Sequence, residues 1–471
     1  MKYKWVALTV TTVGGFMASL DSSILTIGLP TVLGDLNANI FHGIWIITGY
    51  KLMLTILLVM LGRIADMYGR VKLYNIGFAV FTIGSLFCAI SGSGEQLILA
   101  RFLQGSGAAL LTANSAAIVT DAFPRNELGM GLGTNMMASN LGSMVGYTVS
   151  GIMISFFGWR SMFLINLPIG IFGTIWAYKR LKEVGVKSIR EKFDYLGSIL
   201  YCAALAIILY ALTIGSIFDA SNQIILGAGL SLFIVFIAFE RKQKHPTLDL
   251  SLFRIRLFAA GNVADFLNSL AYHCAPFIIS LYLQLVKAYT PSEAGLILIP
   301  MEIIVLTMNT ITGRLADKYG SRGFATLGLI LNSAALLWFS TINKDTSYYA
   351  ILIGLSLFGF GRSLFSSPNV SSIMGSVPPS RRGVANGVRT TLHQTGSVMS
   401  IPVSLLLMTF IMPYDRLSQI VGTSQIIGSI ELDTFLRAIN FAFLILGIIV
   451  GLAIVPSLMR GSRKLDQENE K

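Results

Sequence analysis

The sequence predicts an all-α polytopic membrane protein with fourteen transmembrane helices: two pseudo-symmetric six-helix bundles plus two inserted helices. Three observations predict it. The octapeptide Gly62-Arg63-Ile64-Ala65-Asp66-Met67-Tyr68-Gly69 returns as Gly313-Arg314-Leu315-Ala316-Asp317-Lys318-Tyr319-Gly320, a shift of 251 residues with six of eight positions identical. Such a repeat points to internal duplication of the kind membrane transporters carry. Hydrophobic residues make up 54% and charged residues 12%, with a mean hydropathy of +0.70, where soluble domains carry roughly 25% charge. Finally, apolar runs near the ~20-residue bilayer length follow one another along most of the chain.

The runs lie at 6–29, 44–62, 73–91, 96–118, 130–156, 161–178, 195–214, 223–239, 257–286, 293–313, 324–342, 347–376, 384–411 and 434–457. The first is too long, and too well repeated downstream, for a cleaved signal peptide. An even number of spans places both termini on one side, and the side rich in Lys and Arg is cytoplasmic. With the N-terminus inside, the outer loops hold only Arg160, Lys287, Lys344 and Arg416 of the 35 basic residues. The net charge of +12 then reflects topology and attraction to anionic membrane lipid, and no nucleic-acid partner is expected.

Residues 1–182 form the expected N-terminal bundle and 257–460 the C-terminal one. Residues 183–256 supply the two-helix insertion with basic cytoplasmic flanks, and 461–471 a cytoplasmic tail. The duplication extends further. Asp121 to Gly129 aligns with Gly375 to Gly383 at a shift of 254, which also sets Gly105 and Gly107 against Gly359 and Gly361.

Cys88, Cys202 and Cys274 all lie in apolar runs without paired spacing, and the four histidines are scattered. No metal and no cofactor is expected. Phosphate-loop, zinc-protease and serine-hydrolase motifs are absent, which argues against an enzyme and against ATP-driven transport by this chain alone.

Several segments carry a family resemblance. Gly62 to Arg70 is similar to the loop between spans 2 and 3 of the major facilitator superfamily, and Leu97 to Gly107 to its span 4 motif. Leu20 to Pro30 and Trp159 to Gly170 resemble the span 1 motif and the start of span 6 in the fourteen-span drug:proton antiporter branch. The resemblance covers essentially the whole chain. It implies the major facilitator fold, alternating access by rocking bundles, and multidrug efflux against proton uptake at the cell membrane, of the kind that confers antibiotic resistance. The branch's span 5 motif reads Gly-x-x-x-Gly-Pro-x-x-Gly-Gly. Here Gly142, Gly146 and Gly151 are kept, but Tyr147 replaces the helix-kinking proline and Ser150 the first paired glycine.

Six ionisable residues sit well inside spans: Asp21, Lys51, Arg101, Asp265, Glu302 and Arg362. Each costs about 2.5–3.5 kcal/mol near the bilayer centre. Together they reach roughly 15–20 kcal/mol, at or above the whole stability of a typical fold. They must pair, face water or change protonation. Asp21 and Arg101 both belong in the outer half of the membrane, so they are the expected proton carrier and its charge partner. The alternative is a fixed pair that only ties spans 1 and 4 together.

Lys51 and Glu302 each precede the glycine of their octapeptide by eleven residues, so they are repeat equivalents of opposite charge. They are candidates for a substrate cavity together with Arg362, Asp265 and His273, or each is satisfied separately. Asp265 and His273 lie eight residues apart, near one helix face, where the histidine either assists proton movement or only packs. In the octapeptides, Gly62, Gly69, Gly313 and Gly320 permit turns and close approach, and Asp66 suits a helix N-terminus. Arg63 and Arg70 are placed to clamp Asp66 or meet lipid phosphate, and Arg314 and Asp317 are their counterparts. The resemblance makes this cluster a cytoplasmic gate.

The expected activity is proton-coupled export of small amphipathic compounds by a monomer in the plasma membrane. The alternatives are a uniporter or symporter of the same fold for a specific lipid-like or organic solute, and a non-transporting membrane scaffold or sensor.

Overall fold

In hydrocarbon every backbone N–H and C=O must be satisfied within the segment, so apolar runs of this length fold as helices. The computed structural model describes residues 2–124, 127–184, 194–215, 219–243, 246–378, 381–423 and 428–459. Among them there is no strand. The side chains at 59, 62, 63, 66, 423 and 429 also lie outside the description, so the expected roles of Gly62, Arg63 and Asp66 fall outside the described residues.

The first half runs α1 (Tyr3–Asp35), α2 (Ile40–Tyr68), α3 (Arg70–Ile90), α4 (Gly94–Ala122), α5 (Leu128–Phe157), α6 (Ser161–Leu164) and α7 (Asn166–Arg180). Next come α8 (Tyr195–Ala211) and α9 (Ala220–Glu240). The second half holds α10 (Arg256–Tyr272), α11 (Ala275–Leu281), α12 (Pro291–Tyr319), α13 (Ser321–Phe339), α14 (Tyr348–Gly375), α15 (Arg382–Thr409), α16 (Tyr414–Thr423) and α17 (Ser429–Leu458). Local chemistry sets several boundaries. Asn39, Ser93 and Ser347 cap α2, α4 and α14 by accepting from His42 N, Gln96 N and Ala350 N.

Eleven described helices are long and apolar enough to cross a membrane, or twelve if Arg382–Thr409 and Tyr414–Gly422 form one bent span. The fourteen spans expected from sequence are therefore not all established. Helix α8 has only 17 residues, and α5, rich in glycine and in polar Thr, Asn and Ser, is not among the eleven.

The chain divides into two compact units. One comprises Met1–Ala206, Ala288–Leu296 and Ser418–Gln425; the other comprises Ile207–Lys287, Ile297–Leu417 and Ile426–Lys471. Each repeats the internal packing of the other. In the first, α1 packs on α5, α4 and α7, and α3 on α4 and α7. In the second, α10 packs on α15, α14 and α17, and α13 on α14 and α17.

Close backbone contacts repeat as well. A Cβ on Gly105 would lie 2.5 Å from the Tyr50 carbonyl oxygen, and one on Gly359 would lie 2.7 Å from that of Met301. Tyr50 and Met301 are themselves 251 residues apart.

The repeated octapeptide marks the α2–α3 and α12–α13 turns. Gly69 and Gly320 adopt φ of +107° and +95° and donate their N–H groups back to Ala65 and Ala316. L-residues rarely adopt that conformation. Gly62 and Gly313, expected at turns, instead lie inside α2 and α12. One glycine per octapeptide makes the turn.

Candidate functional site

Five helical segments of the first unit converge on Asp21. It is fully buried on α1, and Arg101 on α4 is 1% exposed. Arg101 Nη1 donates to Asp21 Oδ2 at 2.5 Å and to Gln104 Oε1 at 2.6 Å, while its Nε donates to the Ile46 carbonyl of α2 at 3.0 Å. The other carboxylate oxygen accepts from Gln104 Nε2 at 2.7 Å and Asn166 Nδ2 at 2.9 Å. Ser85 of α3 accepts from the same two amides and donates to the Phe163 carbonyl.

The guanidinium also lies 4.2 Å from the Tyr50 ring centroid, and the Tyr50 hydroxyl donates to the Ala18 carbonyl. A buried charge is tolerable only when paired and hydrogen-bonded, and both carboxylate oxygens here meet that condition. The structure thus brings Asp21 and Arg101 together, a contact their matching depths allowed. Sequence reasoning did not assign the second ring of Gln104, Asn166 and Ser85, although Gln104 and Asn166 sit in the span 4 and span 6 motifs.

The remaining residues of this unit are placed as follows. Lys51 is half-buried on α2, and the Thr55 hydroxyl donates to its carbonyl. Gly142 and Gly146 of α5 approach the α1 backbone at Phe16 and Leu20, and Gly151 approaches that of Pro291. Tyr147 lies within the unbroken α5, and Ser150 donates to the Ile24 carbonyl at 2.5 Å, giving α1 a hydrogen bond where the branch motif has glycine.

Near the octapeptide, Arg70 pairs with Asp121 at the end of α4, donating to both carboxylate oxygens at 2.8 Å. Glu183 caps α3 by accepting from Arg70 N and Val71 N. Arg70 thus has Asp121 as a partner, because the start of α3 and the end of α4 meet at one end of the unit; the expected clamp on Asp66 lies outside the described residues. In the second unit Arg314 and Asp317 are exposed, and Asp317 accepts from Ser371.

That unit gathers a second charged network around a break in a span. Helix α10 stops at Tyr272, His273 and Cys274 form a turn, and α11 resumes at Ala275. Pro276 explains the break, since it has no N–H for the Tyr272 carbonyl. Asp265 on α10 accepts from His393 Nδ1 at 3.3 Å and lies 3.7 Å from Arg389 Nη1, both on α15. His273 sits one ring further out, edge-on to His393 at 5.7 Å.

Arg362 of α14 stacks on the Tyr272 ring at 4.3 Å, and Tyr272 stacks in turn on Phe358 at 5.3 Å. Glu302 of α12 receives a side-chain hydrogen bond from Tyr272 and has Arg362 as its charged neighbour. Four of the expected cavity residues, Asp265, His273, Glu302 and Arg362, therefore form one network; Lys51 belongs to the other unit. Arg389 and His393 were missed. Their four-residue spacing on one helix face was the available signal.

The model of the family described as Major Facilitator Superfamily matches residues 11–240 and 261–471. A riboflavin transporter of Clostridioides difficile is 32% identical over 394 residues, covering 83% of this chain and 86% of the relative. The methylenomycin A resistance protein of Streptomyces coelicolor is 30% identical, covering 84% of each. Among solved structures, a bacterial homologue of the human lysosomal transporter Spinster, inward-facing and unoccupied, aligns with TM-score 0.72 over 97% of both chains at 13% identity. That likeness is one of fold.

Proposed function

The chain belongs to the Major Facilitator Superfamily, and from that membership we propose that it is a proton-coupled exporter of amphipathic organic compounds. It works as a fourteen-span monomer in the cell membrane, its termini cytoplasmic and its basic loops on anionic lipid, by alternating access. The observation that carries this reading is the sealed Asp21 site. The carboxylate is sealed among Arg101, Gln104 and Asn166, so it can exchange a proton only when motion opens the site to water. Asp21 is the proton carrier and Arg101 its partner. Lys51, Asp265, His273, Glu302 and Arg362 face substrate, and the two octapeptides gate the cytoplasmic side. The methylenomycin A resistance relative supports a drug-like cargo.

A second reading, transport of one specific organic solute by uniport or symport, draws on Tyr147 in place of the antiporter proline and on the riboflavin-transporting relative. Flux of dyes and of riboflavin in proteoliposomes, with and without an imposed pH gradient, decides between them. Gradient-dependent dye export supports the first reading, and gradient-independent riboflavin flux the second. A broad panel without flux would sink both.

A further inference from the structure

The network at the α10–α11 break contains a donor that the proton-coupling site does not use. Arg362 Nη1 is buried and has no hydrogen-bond partner among the described residues. An unmade buried bond is costly, the more so for a charged group. The guanidinium is nevertheless fixed in place, stacked on Tyr272, which is braced by Phe358. Its companions are polar and convergent. Arg389 and His393 both contact Asp265, and the network lies at a break in a span, as polar-ligand sites do in discontinuous helices.

We propose that Arg362, backed by Arg389 and His393, is the receptor for the acidic group of an organic anion, which binds together with one proton. The inference rests on reading the chain as a transporter of organic compounds, and it names their class. Asp265 Oδ2 also lacks a hydrogen-bond partner, but it lies 3.7 Å from the Arg389 guanidinium, so an organic cation would compete with Arg389 for it. Asp265 Oδ1 is taken by His393 and Glu302 by Tyr272, whereas Arg362 Nη1 is open to an anion.

The proton follows from charge balance. Arg362 on α14 and Arg389 on α15 offset Asp265 on α10 and Glu302 on α12, leaving His273 and His393 as the titratable groups between them. Helix α17, which also packs on α10 and α15, is uncharged from Ala438 to Leu458. An added anion therefore leaves one uncompensated negative charge in a poorly solvated setting, which is costly. A proton on His393 or Glu302 restores neutrality.

The test uses the purified full chain and two flat two-ring probes of fixed and opposite charge, naphthalene-2-sulfonate and N-methylquinolinium. The sulfonate should raise the thermal unfolding midpoint of the wild type and the cation should not. Sulfonate affinity should rise about tenfold between roughly pH 8 and pH 6, the linkage expected for uptake of a proton. Arg362→Gln should weaken it at least about tenfold, and Arg362→Lys by less, since lysine keeps the charge without the planar fork. Equal stabilisation by the cation, affinity independent of pH, or an unchanged sulfonate affinity in a folded Arg362→Gln protein would each overturn the proposal. The wild-type comparison needs no variant to fold. Sulfonate binding without flux of any probe in proteoliposomes would leave this inference standing and remove the transport reading instead.

Discussion

Arg101 donates to Asp21 at 2.5 Å while resting 4.2 Å above the Tyr50 ring, so one guanidinium joins α4 to α1 and α2 at once. Neither partner reaches solvent. Asp21→Asn would leave that guanidinium buried without a counter-charge, a loss of about 3–5 kcal/mol for a buried pair. The variant should unfold at lower temperature and lose pH-driven transport. Asp21→Asn/Arg101→Gln should recover much of the stability without recovering the pH dependence. If Asp21→Asn keeps gradient-driven flux, the proton-carrier role is wrong, whatever happens to stability.

Gly105 and Gly359 provide a matched pair of packing tests. A methyl at either would press on a backbone carbonyl, that of Tyr50 or of Met301, and a backbone cannot swing aside as a flexible side chain does. Gly105→Ala and Gly359→Ala should each cost about 1–3 kcal/mol, as overpacking does. Thermal unfolding in detergent measures it. Only Gly105→Ala displaces Tyr50, which carries Arg101, so it alone should also depress proton-coupled flux through Asp21.

The duplication was legible in the sequence because Gly69 and Gly320 each need a left-handed backbone at a helix junction, and few residues can substitute there. Matching depths made the Asp21–Arg101 contact feasible, and the cost of burying either charge alone made it favourable. The Arg70–Asp121 pair was harder, because the two residues are 51 apart along the chain. Arg389 and His393 were hidden for a different reason. Arg389 lies two turns into α15, near enough to its end to read as an ordinary flank, and a lone histidine in an apolar run carries little signal. The span count depended on hydropathy, which fails for α5 because its Gly, Ser, Thr and Asn serve close packing and side-chain bonds to α1 and α4.

Asp249 and Arg381 form an ion pair outside the spans, with Ser251 bonded to both. Burial pushes the Asp249 carboxyl up, but hydrogen bonds from Ser251 and Arg381 outweigh it and hold it below the ordinary value of 3.8. A lowered folded value means that the stabilisation is fully present above the unfolded value and lost as pH falls through the folded one. Asp249→Asn should therefore be less stable than wild type at neutral pH, and the gap should close as pH drops below 3.8. Added salt should narrow it too, since the pair is partly exposed. Unfolding midpoints across pH for both proteins give the result, and a gap that widens on acidification would refute the assignment.

Arg70 and Asp121 each stand at the wrong end of a helix. A cation at the first residue of α3 and an anion at the penultimate residue of α4 both oppose the helix dipole. Their mutual contact at 2.8 Å offsets both penalties, and Glu183 adds the anion that the α3 terminus lacks by accepting from Arg70 N and Val71 N. Removing one member should thus be worse than removing both. Asp121→Asn alone should destabilise the first unit, whereas Arg70→Gln/Asp121→Asn should come close to wild type. Glu183→Ala should cost about 0.5–2 kcal/mol, the usual loss of a helix cap. It should also speed hydrogen exchange at the Arg70 and Val71 amides, which donate to that carboxylate. Equal destabilisation by the single and double variants would show that the pair matters for something other than its charge.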